Sequence, residues 1–432
     1  MTYEEALEYL YNSLPVFHRE GVGAYKPGLD TSRRLDALWG FPSHRFPAIH
    51  IAGTNGKGST AHTLAAILQC QGYKTGLYTS PHIFDFGERI RVDGAKIPRE
   101  AVVAFVEKWA RLSKQHPSLT PSFFELTSTM AFAWFAQCGV DFAVLETGLG
   151  GRLDSTNIIS PILSVITNIS LDHTQFLGDT RAKIAAEKGG IIKEGVPVVI
   201  GETDSEIQPV FEQVAAKKEA PLFVAAPVEA EVGEDFNFYP STPFGPLRGQ
   251  LTGTYQKLNT ATVLAAVERL RAEGVEISDE AVARGLSSVV TLTGLQGRWT
   301  RVGTNPTTVI DTGHNEGGWK RIGEQIAASG VKEVALVCGF VADKDLTHIF
   351  DTVRSIPAIR NIYFSTPSTP RGLQASELAR KAAEAGIEGK VVPDVNEAVA
   401  LARASVASDG LVLVAGSNFL IADLNLSGVS PE

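Results

Sequence analysis

Cysteine is scarce: Cys70, Cys138 and Cys338 are the only three among 432 residues. An odd, widely spaced set with no CxxC pair excludes a disulfide framework and offers no zinc motif; three small apolar side chains in a reducing compartment are the expectation. Basic charge is also in deficit. Lys and Arg number 39 against 48 acidic residues, a net charge of −9. That argues against a general nucleic-acid binder, because phosphate backbones call for basic clusters. A local anion site is still allowed, since helix N-termini and loop amides bind anions whatever the total charge. Long apolar runs are missing too. The most apolar stretch, Met130 to Phe135, is far too short to span a bilayer. The opening Met-Thr-Tyr-Glu-Glu carries acids where a secretory leader has a basic start and an apolar core. These absences lead to the expectation of a cytoplasmic protein with no membrane or nucleic-acid partner. Nothing flags an interface, so a monomer is expected. What is present can build cores: 44% of residues are hydrophobic and 20% charged, and at roughly 100–200 residues per domain the length suits two domains.

Short β-branched runs alternate with helical stretches, which points to α/β architecture with parallel sheets. Early strands are predicted at Ala48–Ala52, Thr75–Thr79, Phe142–Glu146, Leu163–Asn168 and Val198–Ile200, with helices at Ser59–Gln71 and Glu125–Gln137. The texture changes over 222–253, where Leu222-Phe-Val-Ala, Phe236-Asn-Phe-Tyr and Leu247–Leu251 lie between Pro and Gly and read as a small antiparallel meander. A helix follows around Asn259–Glu273. A second alternation has strands at Thr308–Asp311, Glu333–Cys338, Asn361–Phe364, Lys390–Pro393 and Gly410–Val414, and helices at Ala375–Ala385 and Asn396–Ala404. Gly294 and Gly297 mark the joint, giving domains 1–296 and 297–432.

The clearest chemical signal is Ile49-His-Ile-Ala-Gly-Thr-Asn-Gly-Lys-Gly-Ser-Thr60. An apolar strand runs into Gly53, Gly56 and Gly58 around Lys57, and a helix follows. Glycines let backbone wrap a phosphate with amides pointing inward; the helix N-terminus and Lys57 add positive charge. The strict Gly-x4-Gly-Lys-Ser/Thr pattern is not met, because Ile51 stands where the first glycine belongs and Gly58 follows the lysine. Three glycines flanking one lysine between strand and helix still favour nucleotide binding over an ordinary turn.

The variant Gly53-Thr-Asn-Gly-Lys-Gly-Ser59 resembles the phosphate loop of the folylpolyglutamate synthase / dihydrofolate synthase family of the Mur ligase superfamily. Further stretches agree in order: Thr79-Ser-Pro-His82 with Glu88-Arg-Ile-Arg91, Glu146-Thr-Gly-Leu-Gly-Gly-Arg152, Thr167-Asn-Ile-Ser-Leu-Asp-His173, Glu187-Lys-Gly-Gly-Ile-Ile-Lys193, Gln256-Lys-Leu-Asn259, Gly297-Arg298 and Asp311-Thr-Gly-His-Asn315. The resemblance covers about residues 1–420. It implies an N-terminal P-loop ATPase domain like the central domain of Mur ligases, with the small antiparallel β subdomain, and a smaller C-terminal Rossmann-like domain. It also implies ATP-dependent amide formation. A dihydropteroate or folate carboxylate takes the γ-phosphate, and the amine of L-glutamate displaces phosphate from the acyl phosphate.

Under that resemblance Gly53, Thr54, Asn55, Gly56, Lys57, Gly58 and Ser59 hold ATP, Lys57 being catalytic. Asn259, Arg298, Asp311 and His314 match family positions that contact ATP. Asp311 suits ribose hydroxyls, and Arg298 offers a fork to phosphate. Ser80 and Glu146 are assigned to Mg²⁺, and His173 to a second ion beside Glu146, with Asp172 to orient it. Unaided, Ser80 reads as a turn residue, Glu146 as a solvated strand end and His173 as structural. Lys188 reads unaided as a surface lysine pairing with Glu187 or Glu194; the family implies a carbamate there, an anion able to bind metal. The family also leaves room for a monovalent cation. For the folate, His82, Phe84, Arg89 and Phe124 are the candidates, through stacking and carboxylate pairing. A loop with core phenylalanines and a solvated Glu88–Arg91 pair explains the same residues. Two departures weaken the C-terminal carry-over: Gln296-Gly-Arg replaces Pro-Gly-Arg, and Asp311-Thr-Gly-His-Asn-Glu316 replaces Asp-Gly-Ala-His-Asn-Pro.

Three other readings stand beside the bifunctional ligase. One is folylpolyglutamate synthase activity alone. Another is a different Mur-type amino-acid ligase, disfavoured by Gly58-Ser59 after the lysine and by the short stretch before Ala48. The last is a nucleotide-binding module without chemistry, disfavoured by Lys57, Glu146 and His173.

Overall fold

Strand β1, Ala48–Ala52, is buried along its whole length, as befits a strand covered on both faces. It belongs to a computed structural model that describes residues 1–14, 28–342 and 344–426. These fall into two units. The first comprises Met1–Glu231, Phe236–Gln250 and Gln256–Leu295; the second comprises Val232–Asp235, Leu251–Tyr255 and Gln296–Glu432.

In the first unit β1 lies within an eight-stranded sheet. The spatial order is β4 (Ala95–Lys96), β3 (Ile90–Val92), β2 (Thr75–Tyr78), β5 (Phe142–Glu146), β1, β6 (Leu163–Ile166), β7 (Val198–Ile200) and β8 (Leu222–Val224). Six of these run parallel, and β3 and β4 are antiparallel at one edge. The chain leaves β1 for β2, returns to β5 beside β1, then crosses to β6 on its far side. That reversal brings the loops after β1, β5 and β6 to one carboxyl edge, where open α/β sheets bind ligands.

Alternate residues feed two cores. Ala48, Ala143 and Leu145 pack with the helices α1 (Tyr3–Asn12) and α3 (Phe123–Cys138). Ile49, Ile51 and Val144 pack with α2 (Lys57–Gln71), α5 (Gln256–Ala272) and α6 (Asp279–Ser287). Helix α2 is sandwiched so closely that a Cβ on Gly285 of α6 would stand 2.6 Å from Ile67 Cα.

Two corrections to the sequence reading follow. Leu222–Val224 is no meander strand; it pairs parallel with β7 at the sheet edge. The small antiparallel sheet is three-stranded all the same: β9 (Asn237–Tyr239) pairs antiparallel with β10 (Leu247–Gly249), and the third strand is Glu231–Val232 instead. Short β-branched runs bounded by Pro and Gly look alike in either setting. The stretch after His82, expected as loop, contains β3, paired antiparallel with β2.

In the second unit β11 (Thr300–Gly303) pairs antiparallel with β12 (Thr307–Asp311). The parallel strands then run β12, β16 (Leu411–Ala415), β13 (Val334–Cys338), β14 (Ile359–Phe364) and β15 (Lys390–Val391). Its core gathers Trp319, Leu336, Phe364 and Leu413. Among the described residues no helix is long and apolar enough to cross a membrane.

Candidate active site

Strand β1 runs straight into Gly53, whose φ of 149° glycine alone adopts readily. A Cβ there would lie 1.8 Å from the Thr167 hydroxyl. Thr167 Oγ1 donates to the Asn55 carbonyl at 2.6 Å, and the amides of Thr54 and Asn55 donate to the backbone and side-chain oxygens of Asn168, both at 2.9 Å. Two amides expected to cradle phosphate are thus spent within the protein. The amides of Lys57, Gly58 and Ser59 open α2, where no carbonyl of a preceding turn can take them and the helix dipole is positive. Gly56, with φ of 83°, turns the chain into the helix. Asn259 closes over it, so that a Cβ on Gly56 would meet Asn259 Oδ1 at 2.2 Å.

Two lysine amines converge behind this loop. Lys57 Nζ donates to the carbonyls of Gly53 and Thr54 at 3.0 and 3.1 Å. Lys188 Nζ, near the end of helix α4 (Arg181–Gly189), donates to the same Gly53 carbonyl at 2.8 Å. Lys188 is buried, not the surface lysine of the ordinary reading, and Glu187 pairs with Arg152 instead. Burial, then the nearby Lys57 ammonium, push the Lys188 amine down to about 7; Asp172 and Asp154 pull the other way.

Glu146 ends β5 and is only 3% exposed, so it is not a solvated strand end. It accepts the Ser80 amide at 3.1 Å. Beyond it the chain is pinned twice: Thr147 N donates to Ile51 O at 2.9 Å, while Gly148 N and Leu149 N donate to Asp154 Oδ2 at 2.8 and 2.9 Å. His173 sits in a left-handed conformation, φ 50°, before the short helix Thr174–Leu177. Its amide takes Asp172 Oδ1 at 2.9 Å, and its Nε2 lies 3.8 Å from Asp172 Oδ2. No set of three or more His, Cys, Asp or Glu side chains placed to hold an ion occurs among the described residues. A buried carboxylate beside a serine suits magnesium nonetheless, because that ion takes oxygen donors, keeps several waters and needs one or two carboxylates.

The aromatic side is built on β3 and α3. Arg89 Nε donates to His82 Nδ1 at 2.7 Å, and His82 Nε2 faces the Tyr11 hydroxyl at 3.3 Å. The Arg89 guanidinium lies 5.2 Å from the Phe123 ring centroid, and its two terminal nitrogens are buried with no hydrogen-bond partner among the described residues. Phe124 presses on Gly148, where a Cβ would stand 2.1 Å from the ring. Phe84 stands apart, 39% exposed. The expected Glu88–Arg91 pair is replaced by other bonds. Glu88 takes the amides of Ile83, Phe84 and Asp85, and Arg91 donates to Gly94 O at 2.9 Å.

In the second unit Asp311 ends β12. Its carboxylate accepts the Tyr255 hydroxyl at 3.0 Å, Trp299 N at 2.9 Å and Gly313 N at 2.8 Å. Burial raises it above the usual carboxylate range, against Arg298 and these bonds. Arg298 donates to Gly297 O at 3.2 Å, and His314 Nδ1 lies 2.9 Å from Thr312 O.

Comparison with known proteins agrees with this fold. A Mur ligase middle domain matches residues 51–267, and a Mur ligase glutamate ligase domain matches 297–418. The dihydrofolate synthase/folylpolyglutamate synthase of Bacillus subtilis is 34% identical over 98% of both chains. The chain belongs to the folylpolyglutamate synthase / dihydrofolate synthase family. Among solved structures, E. coli FolC in complex with DHPP and ADP has 31% identity and a TM-score of 0.83 over 98% of this chain and 96% of that one. Mycobacterium tuberculosis folylpolyglutamate synthase, solved with ADP and AMPPCP, has 28% identity and a TM-score of 0.87 over the full length of both.

Within this family member, the loop 53–59, Ser80, Glu146 and Lys188 gather at the carboxyl edge of the first sheet, while Arg298, Asp311 and His314 lie around the end of β12. Tyr255 and Asp154 escaped the sequence reading. Asp154 stands in the quoted neighbourhood of Gly-Gly-Arg152, but nothing in its spacing announces four hydrogen bonds.

Proposed function

We propose that this protein is an ATP-dependent ligase that adds L-glutamate to the carboxylate of dihydropteroate and of reduced folates. The observation that carries this is the phosphate loop with its two lysines, set at the same sheet edge as the buried Glu146–Ser80 pair. Phosphoryl transfer between anions needs positive charge and alignment more than covalent help. Lys57 leaves the carbonyls of Gly53 and Thr54 for the β and γ phosphates, with the amides of Lys57, Gly58 and Ser59 beside it. The acceptor carboxylate attacks the γ-phosphorus, ADP leaves, and an acyl phosphate forms. The glutamate amine then attacks the acyl carbon, phosphate departs and the amine proton is lost. Glu146 and Ser80 are the residues suited to hold magnesium, with His173 and a carbamate on Lys188 suited to a second ion. When bound, the metal neutralises phosphate charge. Phe124 and Arg89 are proposed for the aromatic and anionic parts of the folate; the exposed Phe84 and His82, which holds Arg89, are weaker candidates. Asn259, Arg298, Asp311 and His314 are proposed for the nucleotide, with Asp311 keeping little acceptor capacity for ribose.

The B. subtilis relative is named for both activities, whereas a Lacticaseibacillus casei relative, 32% identical over 97% of both chains, is named folylpolyglutamate synthase alone. ADP release should therefore be assayed with dihydropteroate and with tetrahydrofolate, each with and without L-glutamate. Release with both acceptors, dependent on glutamate, is expected. Release with tetrahydrofolate only would reduce the activity to polyglutamate extension, and no release would leave a binding module. Lys57→Ala should lower kcat by about a hundredfold or more through loss of transition-state charge stabilisation; activity near the wild type would remove Lys57 from the chemistry.

A further inference from the structure

A histidine sits in the middle of β1, where its neighbours are apolar. His50 is fully buried on the Ala48 side of the sheet. Its Nε2 lies 2.8 Å from Thr156 Oγ1, and Thr156 Oγ1 donates to Asp154 Oδ1. The hydroxyl has one hydrogen, and the carboxylate takes it. His50 must therefore donate from Nε2, which fixes its tautomer and leaves Nδ1 buried with no partner among the described residues. Asp154 Oδ1 also accepts Thr156 N at 3.0 Å, and its Oδ2 accepts the amides of Gly148 and Leu149. The chain of bonds thus runs from the strand that enters the phosphate loop to the two amides that follow Glu146. The same strand holds Thr147 through Ile51 O. Ser155 Oγ, between Asp154 and Thr156, reaches Phe124 O at 3.4 Å, and Phe124 rests on Gly148.

We propose that His50 and Thr156 are positioning residues for the magnesium carboxylate, acting through Asp154 on the backbone of Gly148 and Leu149. An apolar side chain at position 50 would bury more easily and would leave no orphaned nitrogen. The polar chain has a different consequence: it makes the angle at which β5 presents Glu146 depend on a rigid, oriented set of bonds. It also ties the carboxylate's loop to Phe124. The proposal rests on the reading of Glu146 as a magnesium ligand, and the test separates the two.

Thr156→Val removes the hydroxyl and keeps the shape; Thr156→Ser keeps the hydroxyl. The magnesium concentration for half-maximal turnover should rise about tenfold or more in Thr156→Val and return to within about twofold of the wild type in Thr156→Ser. Affinity for ADP without metal, read by calorimetry, should stay the same in both, showing an intact phosphate loop. His50→Leu and His50→Gln form a second pair, with the loss expected in the first and rescue in the second, and carry the test if Thr156→Val does not fold. Glu146→Gln is run alongside. If it shifts the magnesium requirement while Thr156→Val and His50→Leu do not, the relay is overturned and Glu146 keeps its role. If Glu146→Gln leaves the requirement unchanged, the metal reading falls and the proposal with it. Equal loss in the Val and Ser variants would show that bulk, not the hydroxyl, matters, and would overturn the relay.

Discussion

At the scale of single residues, burial shifts the titration of Lys188 and of His50, and each shift has its own consequence with pH. Lys188 has an amine near 7 because burial and the Lys57 ammonium both disfavour its charged form. A neutral amine is what carbon dioxide reacts with, forming a carbamate and releasing a proton. With ¹³C-bicarbonate the wild type should show a carbamate resonance that Lys188→Ala lacks, and turnover should fall as pH drops below about 7. Short carboxylic acids should restore part of the activity of Lys188→Ala; a plain lysine under bicarbonate would count against the modification. His50 works on stability. Its pKa is lowered from 6.5 to about 3, chiefly by burial. Between those values the unfolded chain binds a proton that the folded chain refuses. Folded stability therefore rises with pH through this window, is full above it and is lost as pH falls through it. The slope reaches about 1.4 kcal/mol per pH unit. Urea midpoints across that range should drop less steeply for His50→Gln than for the wild type, and parallel curves would refute the burial argument.

At the scale of elements, close approach explains glycines that a sequence cannot interpret. Gly285 lies in α6, where alanine would normally add helix propensity of about 1 kcal/mol. Here its Cβ would meet the backbone of Ile67 at 2.6 Å, and backbone does not yield as a side-chain tip would. Gly285→Ala should therefore destabilise by about 1–3 kcal/mol, seen as a lower melting temperature; a rise would mean the helices separate freely. The elements that sequence periodicity could resolve were those with length and clear punctuation. β1, the glycine turn and α2 follow from an apolar run, three glycines and a helical stretch. β3 hid because Ile90 and Val92 are set among Glu88, Arg89 and Arg91, so the run looks charged and loop-like. Leu222–Val224 hid its partner, since three residues carry no signal of parallel or antiparallel pairing. The candidate site was legible where a motif marks it, as at Lys57 and Glu146, which lie at one edge of the first sheet. It was not legible at His50 and Thr156, which meet across 106 residues of chain. A lone histidine in an apolar strand resembles any core histidine until its partner is in view.

At the scale of the whole molecule, charge and proposed substrates have the same sign. The chain carries −9, while ATP, folates and glutamate are anions. Attraction must then be local, from Lys57, the N-terminus of α2 and buried guanidinium groups such as Arg89, and the long-range field opposes approach. Salt screens the long-range part first. Raising ionic strength from about 10 to about 100 mM shortens the screening length from about 30 to about 10 Å. Over that interval kcat/KM for ATP, measured at constant free magnesium, should hold steady or rise. A protein that steered its nucleotide through a basic surface would lose on-rate over the same range. A fall of about tenfold here would mean that a positive field of long reach, unseen in the net charge, guides the nucleotide to the loop after β1.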